Sequence, residues 1–126
     1  MSKTVNEWVG EGYIATDLLL RHTTDSARSV TNFVFLIDMP YKAKKGQEET
    51  VIKKRVEKIP VTAWTGVAEN ICNTLAKGDK VRLKGAIRTK LIKDKQNITF
   101  SSFEIIASEA TLISRKTNKN DNKESE

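Results

Sequence analysis

The sequence predicts an all-β barrel of five long strands, with a single helix between the third and fourth strands. Three observations lead to this prediction. The chain has 126 residues, which is the size of one domain. Several segments are rich in β-branched and aromatic residues and are bounded by glycine, proline or polar clusters. Apolar residues repeat with helical spacing in only one segment.

The first three strands are expected in the N-terminal half of the chain. Gly10 and Gly12 lie inside the first strand and predict a bulge or a close approach of two backbones. Pro40 is predicted to end the second strand, and the polar segment 41–49 has the composition of a long hairpin loop. Pro60 indicates an edge or a bulge in the third strand. The three predicted strands are residues 5–16, 30–39 and 50–64.

The helix is predicted over residues 65–75, followed by the closing strands. Val67, Ile71 and Leu75 repeat every four residues and form one apolar stripe. Gly78 is suited to a left-handed turn just after the helix. The remaining predicted strands are residues 80–90, 98–107 and 110–113, with a hairpin tip at 93–97. This order of strands around one helix is typical of the five-stranded oligonucleotide-binding (OB) barrel.

The strand predicted over residues 80–90 has one apolar face and one cationic face. Successive side chains of a strand point to opposite sides, so the two sets separate. The apolar set is Val81, Leu83 and Ile87. The cationic set is Lys80, Arg82, Lys84, Arg88 and Lys90. A row of like charges is either a solvated face or a surface that meets a polyanion, and nucleic acid is the polyanion that this pattern favours.

Composition agrees with an anionic partner and sets the domain boundary. There are 22 Lys and Arg against 16 Asp and Glu, which gives a net charge of +6 and a pI near 9.5. The single cysteine, Cys72, fits a reducing compartment. We therefore expect a cytoplasmic, nucleoid-associated protein with no membrane segment. Residues 1–113 are predicted to form the domain, and the polar residues 114–126 are predicted to form a disordered tail.

Three stretches give the chain a resemblance to the bacterial single-stranded DNA-binding proteins. The first two are Gly12-Tyr-Ile-Ala-Thr-Asp17-Leu-Leu-Leu-Arg21 and Val30-Thr-Asn32-Phe. The third combines Ile59-Pro-Val-Thr-Ala-Trp64-Thr-Gly-Val-Ala68-Glu69-Asn70, Leu75-Ala-Lys77-Gly78-Asp and Lys84-Gly85-Ala-Ile-Arg88-Thr89. The resemblance covers roughly residues 5–113. It implies an OB barrel that binds single strands across one face and between the loops at 40–50 and 91–97.

The resemblance also implies which side chains bind. Tyr41 and Trp64 fill two positions where the family stacks bases. Lys58 and Ile92 fill two further positions where an aromatic side chain is typical, and Lys58 is expected to contact a phosphate instead. The cations expected to follow the DNA backbone are Lys42, Lys44, Lys45, Lys58, Arg88, Lys90 and Lys93. Affinity that depends mainly on charge is expected, with a steep loss of binding as salt rises.

The predicted function is sequence-independent binding and protection of single-stranded DNA in replication, recombination and repair. One alternative is a primosomal or other assembly adaptor on the same barrel, with weak single-strand binding. Another is an RNA-binding barrel, because nothing in the sequence distinguishes DNA from RNA. The chain has one His and one Cys and no phosphate-binding loop, so we expect no catalysis, no metal and no cofactor.

The resemblance further implies a homo-oligomer, either a tetramer or a dimer. Lys80, Arg82 and Lys84 lie on a part of the strand that faces another subunit when two dimers of the family stack. Three cations there oppose such stacking unless acids on the partner meet them, which leaves a dimer open. The family's tail normally ends in acidic residues and a short apolar tip, which recruits replication and repair enzymes. This tail ends Lys123-Glu124-Ser125-Glu126, so we do not expect it to recruit partners in that way.

Overall fold

The structure is a computed structural model that describes residues 4–46 and 49–116, without the side chain of Lys45. Within these ranges the order of elements follows the predicted order, with one additional short strand, β2. The elements are β1 (Trp8–Ile14), β2 (Arg21–His22), β3 (Ser29–Lys45), β4 (Glu49–Trp64), α1 (Thr65–Thr74), β5 (Lys80–Lys93) and β6 (Thr99–Ser114).

Five strands close into a ring, as predicted. Strand β1 pairs with β5 and then, at Tyr13 and Ile14, with β3. The ring continues from β5 to β6 and from β4 to β3 through antiparallel pairs. Strands β6 and β4 complete it through a short parallel contact, in which Val61 and Thr62 lie opposite Ile105 and Ile106. A closed ring leaves few unpaired edges, which is how small barrels avoid exposing backbone hydrogen-bonding groups.

The inner face of the ring holds the core, and α1 covers one end of it. Phe35 is fully buried and contacts Trp8 edge to face, with ring centroids 6.2 Å apart. Ile71 of the predicted apolar stripe is fully buried, and so is Ala68 beside it in α1. The other large buried side chains are Ile14, Val61, Val81, Leu83 and Ile105. The face of each strand that points away from this core is called the outer face below.

The prediction of a loop over residues 41–49 is wrong. Strand β3 continues to Lys45 and β4 begins at Glu49, so this segment is a two-stranded arm that extends beyond the ring. Pro40 pairs with Lys54 in an unbroken register. Within the described residues, β3 pairs with β4 alone beyond Leu36, so its other edge is free there and tolerates a proline, which has no N–H to donate. Both faces of an arm meet water, which is why its sequence has the polarity of a loop.

The two predicted closing strands are one strand, β6, that carries a bulge. Lys84 lies opposite Glu109 and Gly85 lies opposite Ala107, so Ser108 is an extra residue in β6. The interruption predicted between the strands at 98–107 and 110–113 is therefore a bulge within one strand rather than a loop. The β5–β6 hairpin also forms an arm, and its turn is held by Asp94, whose carboxylate accepts from the backbone N–H groups of Gln96 and Ile98 at 2.9 Å.

The last described residues are held against the ring by Asp79. Its buried carboxylate accepts from the backbone N–H of Ala76 at 2.9 Å and of Lys116 at 3.1 Å, and it lies 3.5 Å from the guanidinium of Arg115. Arg115 and Lys116, which were predicted to belong to the tail, are thus held against the ring. The rest of the tail predicted at 114–126 lies outside the described residues. Among those described, no helix has the length and apolarity needed to span a bilayer.

Candidate nucleic-acid interface

A line of polar side chains crosses the outer face from β2 to β5. Arg21 donates to the amide oxygen of Asn32, and the Asn32 amide nitrogen donates to Thr62 Oγ1 at 2.7 Å. The Thr62 hydroxyl donates in turn to Glu104 Oε2 at 2.6 Å. Lys90 Nζ lies 3.8 Å from the same carboxylate oxygen. Each bond joins neighbouring strands, so the line fixes the outer face in one arrangement.

An open cleft of about 410 Å³ lies along this line. Asn32, Thr62, Glu104 and Lys90 supply its polar wall, and Val34 and Pro60 supply apolar wall. The cleft is shallow and joins the surface at the root of both arms. Because β4 and β6 enter their short parallel contact side by side, the two arms leave the ring at the same end. An extended polymer could therefore lie in the cleft and continue along an arm.

Trp64 lies on the outer face at the end of β4, as the sequence predicts for a stacking residue. Its ring is half-buried, and the guanidinium carbon of Arg28 lies 4.5 Å from the ring centroid. This cation–π contact covers one face of the indole and holds the ring in place. The ring therefore has at most one face for a base, which limits the energy that a single stack can supply.

The cations predicted to bind lie mostly on the outer face. Lys58 is exposed opposite Leu36, and Arg88 and Lys90 are exposed opposite Glu104 and Ser102. Lys42 and Lys44 lie on the outer side of the β3–β4 arm by strand alternation. Lys93 lies at the tip of the other arm, opposite Thr99. The side chain of Lys45 lies outside the described residues.

Tyr41 is placed apart from these residues. The register of β3 with β4 is unbroken, so Tyr41 lies on the face opposite that of Lys58 and Trp64. It is exposed, and the guanidinium carbon of Arg55 lies 5.8 Å from its ring centroid. The positions of Tyr41 and Trp64 in the sequence predict one shared site. Strand alternation instead places the two side chains on opposite faces of the β3–β4 pair.

The first part of the cationic row on β5 is paired with acids of the same chain. Arg82 lies 3.7 Å from Glu11 of β1, and Lys84 lies 3.9 Å from Glu109 of β6. These exposed pairs are weak, but they offset the charge locally. Acids on a partner subunit were expected to be needed to offset these cations. Glu11 and Glu109 of the same chain offset Arg82 and Lys84 instead. Arg88 and Lys90 lie farther along the same face of β5, beyond these two pairs, and Lys90 is beside Glu104.

Neither Glu104 nor Thr62 was among the residues predicted to form the site. Both side chains are more than four-fifths buried by the polar line itself, although they belong to the outer set of residues. Glu104 lies between Phe103 and Ile105 in an otherwise neutral stretch, and an isolated acid in a strand is the only signal in the sequence. Among the described residues no cluster of three or more His, Cys, Asp or Glu side chains could hold a metal ion.

The closed five-stranded ring, with one capping helix among the described residues, is an oligonucleotide-binding barrel, and here its outer face carries an aromatic ring and cations. The sequence model of the single-strand binding protein family matches residues 5–113 of this chain. The chain belongs to that family, which confirms the resemblance predicted from its motifs.

Individual relatives are distant. The chain is 26 % identical over 113 residues to the single-stranded DNA-binding protein of Caldanaerobacter subterraneus subsp. tengcongensis, covering 90 % of this chain and 71 % of that protein. It is 28 % identical over 109 residues to the protein of the same name from Clostridium tetani, covering 86 % and 70 %. A solved structure titled Plasmodium falciparum SSB complex with ssDNA has a similar fold, with a TM-score of 0.75 and 16 % identity. That comparison covers 90 % of this chain and 99 % of the other.

Replacing Glu104 with glutamine is expected to raise affinity for oligo-dT about two- to fivefold at low salt. The amide oxygen can still accept from Thr62, while the negative charge beside Lys90 is removed, so Lys90 is free to meet a phosphate. The matched control is Glu109→Gln, which removes an acid that is paired with Lys84 outside the cleft. Fluorescence anisotropy of labelled oligo-dT measures both variants. Equal affinity gains for the two would show that only net charge matters.

Proposed function

We propose that this protein binds single-stranded DNA without sequence preference and protects it during replication, recombination and repair. The observation that carries the proposal is the outer face, where the half-buried Trp64 ring lies on the same side as the exposed cations Lys58, Arg88 and Lys90. Single strands expose base faces and phosphates, and a general binder needs a flat ring for the first and cations for the second. Family membership and the names of the relatives support the same function.

The binding surface we propose begins in the cleft and follows both arms. Trp64 stacks one base on the indole face that Arg28 leaves open. Lys58, Arg88 and Lys90 contact phosphates, and Lys42, Lys44, Lys45 and Lys93 extend the positive potential along the arms. Tyr41 would bind only a strand that passes to the other side of the β3–β4 arm. The protein acts by holding bases unpaired, which is binding rather than catalysis.

We also propose a homo-oligomer, a dimer or a tetramer, in the cytoplasm. Along Trp8–Gly12, β1 is paired on one edge only among the described residues, and Val9 is exposed there. An unpaired strand edge beside apolar side chains is a surface that a second chain can cover. The lone cysteine agrees with a reducing compartment.

The test is the substitution Trp64→Ala, for which we expect about a tenfold loss of affinity for oligo-dT. The other tryptophan, Trp8, contacts Phe35 at the core, so quenching of intrinsic fluorescence by DNA should come mainly from Trp64 and should disappear in the variant. Duplex of the same length serves as the control ligand. Wild-type protein that binds oligo-dT no better than duplex, with no quenching at low salt, would replace this function with the adaptor.

A further inference from the structure

An exposed phenylalanine on the β5–β6 arm has no part in the site described so far. Phe100 lies directly opposite Ile92 on the outer face, and its side chain is 46 % exposed. No register shift occurs between Gly85 and Lys93, so strand alternation places Phe100 on the same face as Lys90 and Glu104. Ile92 fills a position where the family typically has an aromatic side chain. An aromatic side chain is present on the neighbouring strand instead, at Phe100.

The position of Phe100 suits contact with a nucleotide. Directly opposite residues of an antiparallel pair have Cβ atoms about 5 Å apart, so the phenyl ring stands within one side chain's width of position 92. The neighbouring pair on the same face, Lys90 and Ser102, is about 7 Å away along the strand. Among the described residues, no other ring and no cation lies against Phe100 in an aromatic or cation–π pair. At least part of its face is therefore open to a ligand.

We infer that Phe100 is a stacking platform for one base of the bound strand, next to the phosphate contact of Lys90. The inference rests on the proposed function, because it assigns a new residue to the same nucleic-acid surface. Ile92 then forms the apolar wall beside the ring instead of providing the ring itself. Stacking on phenylalanine is tolerant of sequence, since every base has a flat face. The bound strand accordingly runs from the cleft out along the β5–β6 arm.

Phe103 provides a matched control within the same strand. It is the same residue type, it is 42 % exposed, and it lies three residues away on the opposite face of the arm, opposite Thr89. We expect Phe100→Ala to lower the affinity for oligo-dT about five- to tenfold, and Phe103→Ala to change it less than twofold. Neither substitution alters charge, so the slope of binding against salt should stay the same for both. Thermal unfolding of both variants checks that the fold is retained.

A second readout does not depend on removing a ring. In a Trp64→Phe background, Phe100→Trp places a fluorophore on the outer face and Phe103→Trp places one on the other face. Saturating oligo-dT should quench the first and leave the second nearly unchanged. Equal effects of the two alanine substitutions, or quenching only at position 103, would overturn the inference. If wild-type protein fails to bind oligo-dT at all, the proposed function fails; if it binds and Phe100→Ala binds equally well, only the role of Phe100 fails.

Discussion

Replacing Gly12 by alanine is expected to lower the free energy of unfolding by about 3 kcal/mol or more. Gly12 lies where β1 leaves β5 and begins to pair with β3, and this crossing closes the ring. A Cβ atom at this position would overlap the backbone carbonyl oxygen of Leu36 and would lie 3.2 Å from the Phe35 ring. Backbone cannot move aside as a side chain can, so either β1 and β3 separate or the core around Phe35 is disturbed.

Gly66→Ala is the matched control for this prediction. It is the same substitution, but Gly66 lies in α1 with nothing within 4 Å of the added atom. Alanine favours a helix over glycine by up to about 1 kcal/mol, so this variant should be slightly more stable than wild type. Urea denaturation monitored by circular dichroism measures both. A Gly12→Ala midpoint near that of wild type would mean that β1 and β3 are not tightly joined at this crossing.

The order of the elements could be predicted because it depends on local patterns that the core enforces. The stripe of α1 that includes Ile71 is buried, and β5 alternates between the buried Val81 and Leu83 and the exposed Arg82 and Lys84. Each of these segments has one face against the core, so the period of its apolar residues reports its secondary structure. Gly78 takes the left-handed conformation expected of it, with φ at 95°.

The β3–β4 arm could not be predicted because no core shapes its sequence. Beyond the ring both faces of a two-stranded ribbon meet water, and the alternation that identifies a strand disappears. Leu91 on the β5–β6 arm shows the absence of a core: alternation places it on the same side of β5 as Val81 and Leu83, yet its side chain is exposed. The segment around Tyr41 lacks a clear alternation of apolar and polar residues, and a loop was therefore predicted there.

The candidate site was only partly predictable, for a different reason. Trp64 and Arg88 could be found because they belong to motifs that are continuous in sequence. The hydrogen-bonded line from Asn32 through Thr62 to Glu104 joins residues 30 and 42 positions apart, and only the closed ring brings them together. The face on which Tyr41 lies depends on the register of β3 with β4. That register is a property of the strand pair and cannot be read from either strand alone.

Removing three outer-face cations together is expected to weaken binding to oligo-dT about a hundredfold at 0.1 M salt. The variant is Lys58→Gln, Arg88→Gln and Lys90→Gln. Each phosphate contact contributes a slope of about −0.7 to the plot of log affinity against log salt for single strands, so three lost contacts should reduce the magnitude of the slope by about 2. A slope that is smaller by about 2 corresponds to about a hundredfold weaker binding at 0.1 M salt and to little loss near 1 M salt.

The control for this variant removes the same number of charges elsewhere: Lys77→Gln, Arg82→Gln and Lys84→Gln. Arg82 and Lys84 lie outside the proposed surface and are paired with Glu11 and Glu109, so their loss changes net charge without removing a cation from that surface. Anisotropy titrations at four salt concentrations give the slope for each protein. A large loss of slope in the outer-face variant and a small loss in the control would identify that face as the one that meets the phosphates. Equal slopes in the two variants would mean that the DNA responds to the total charge of the barrel, and the outer face would lose its assignment.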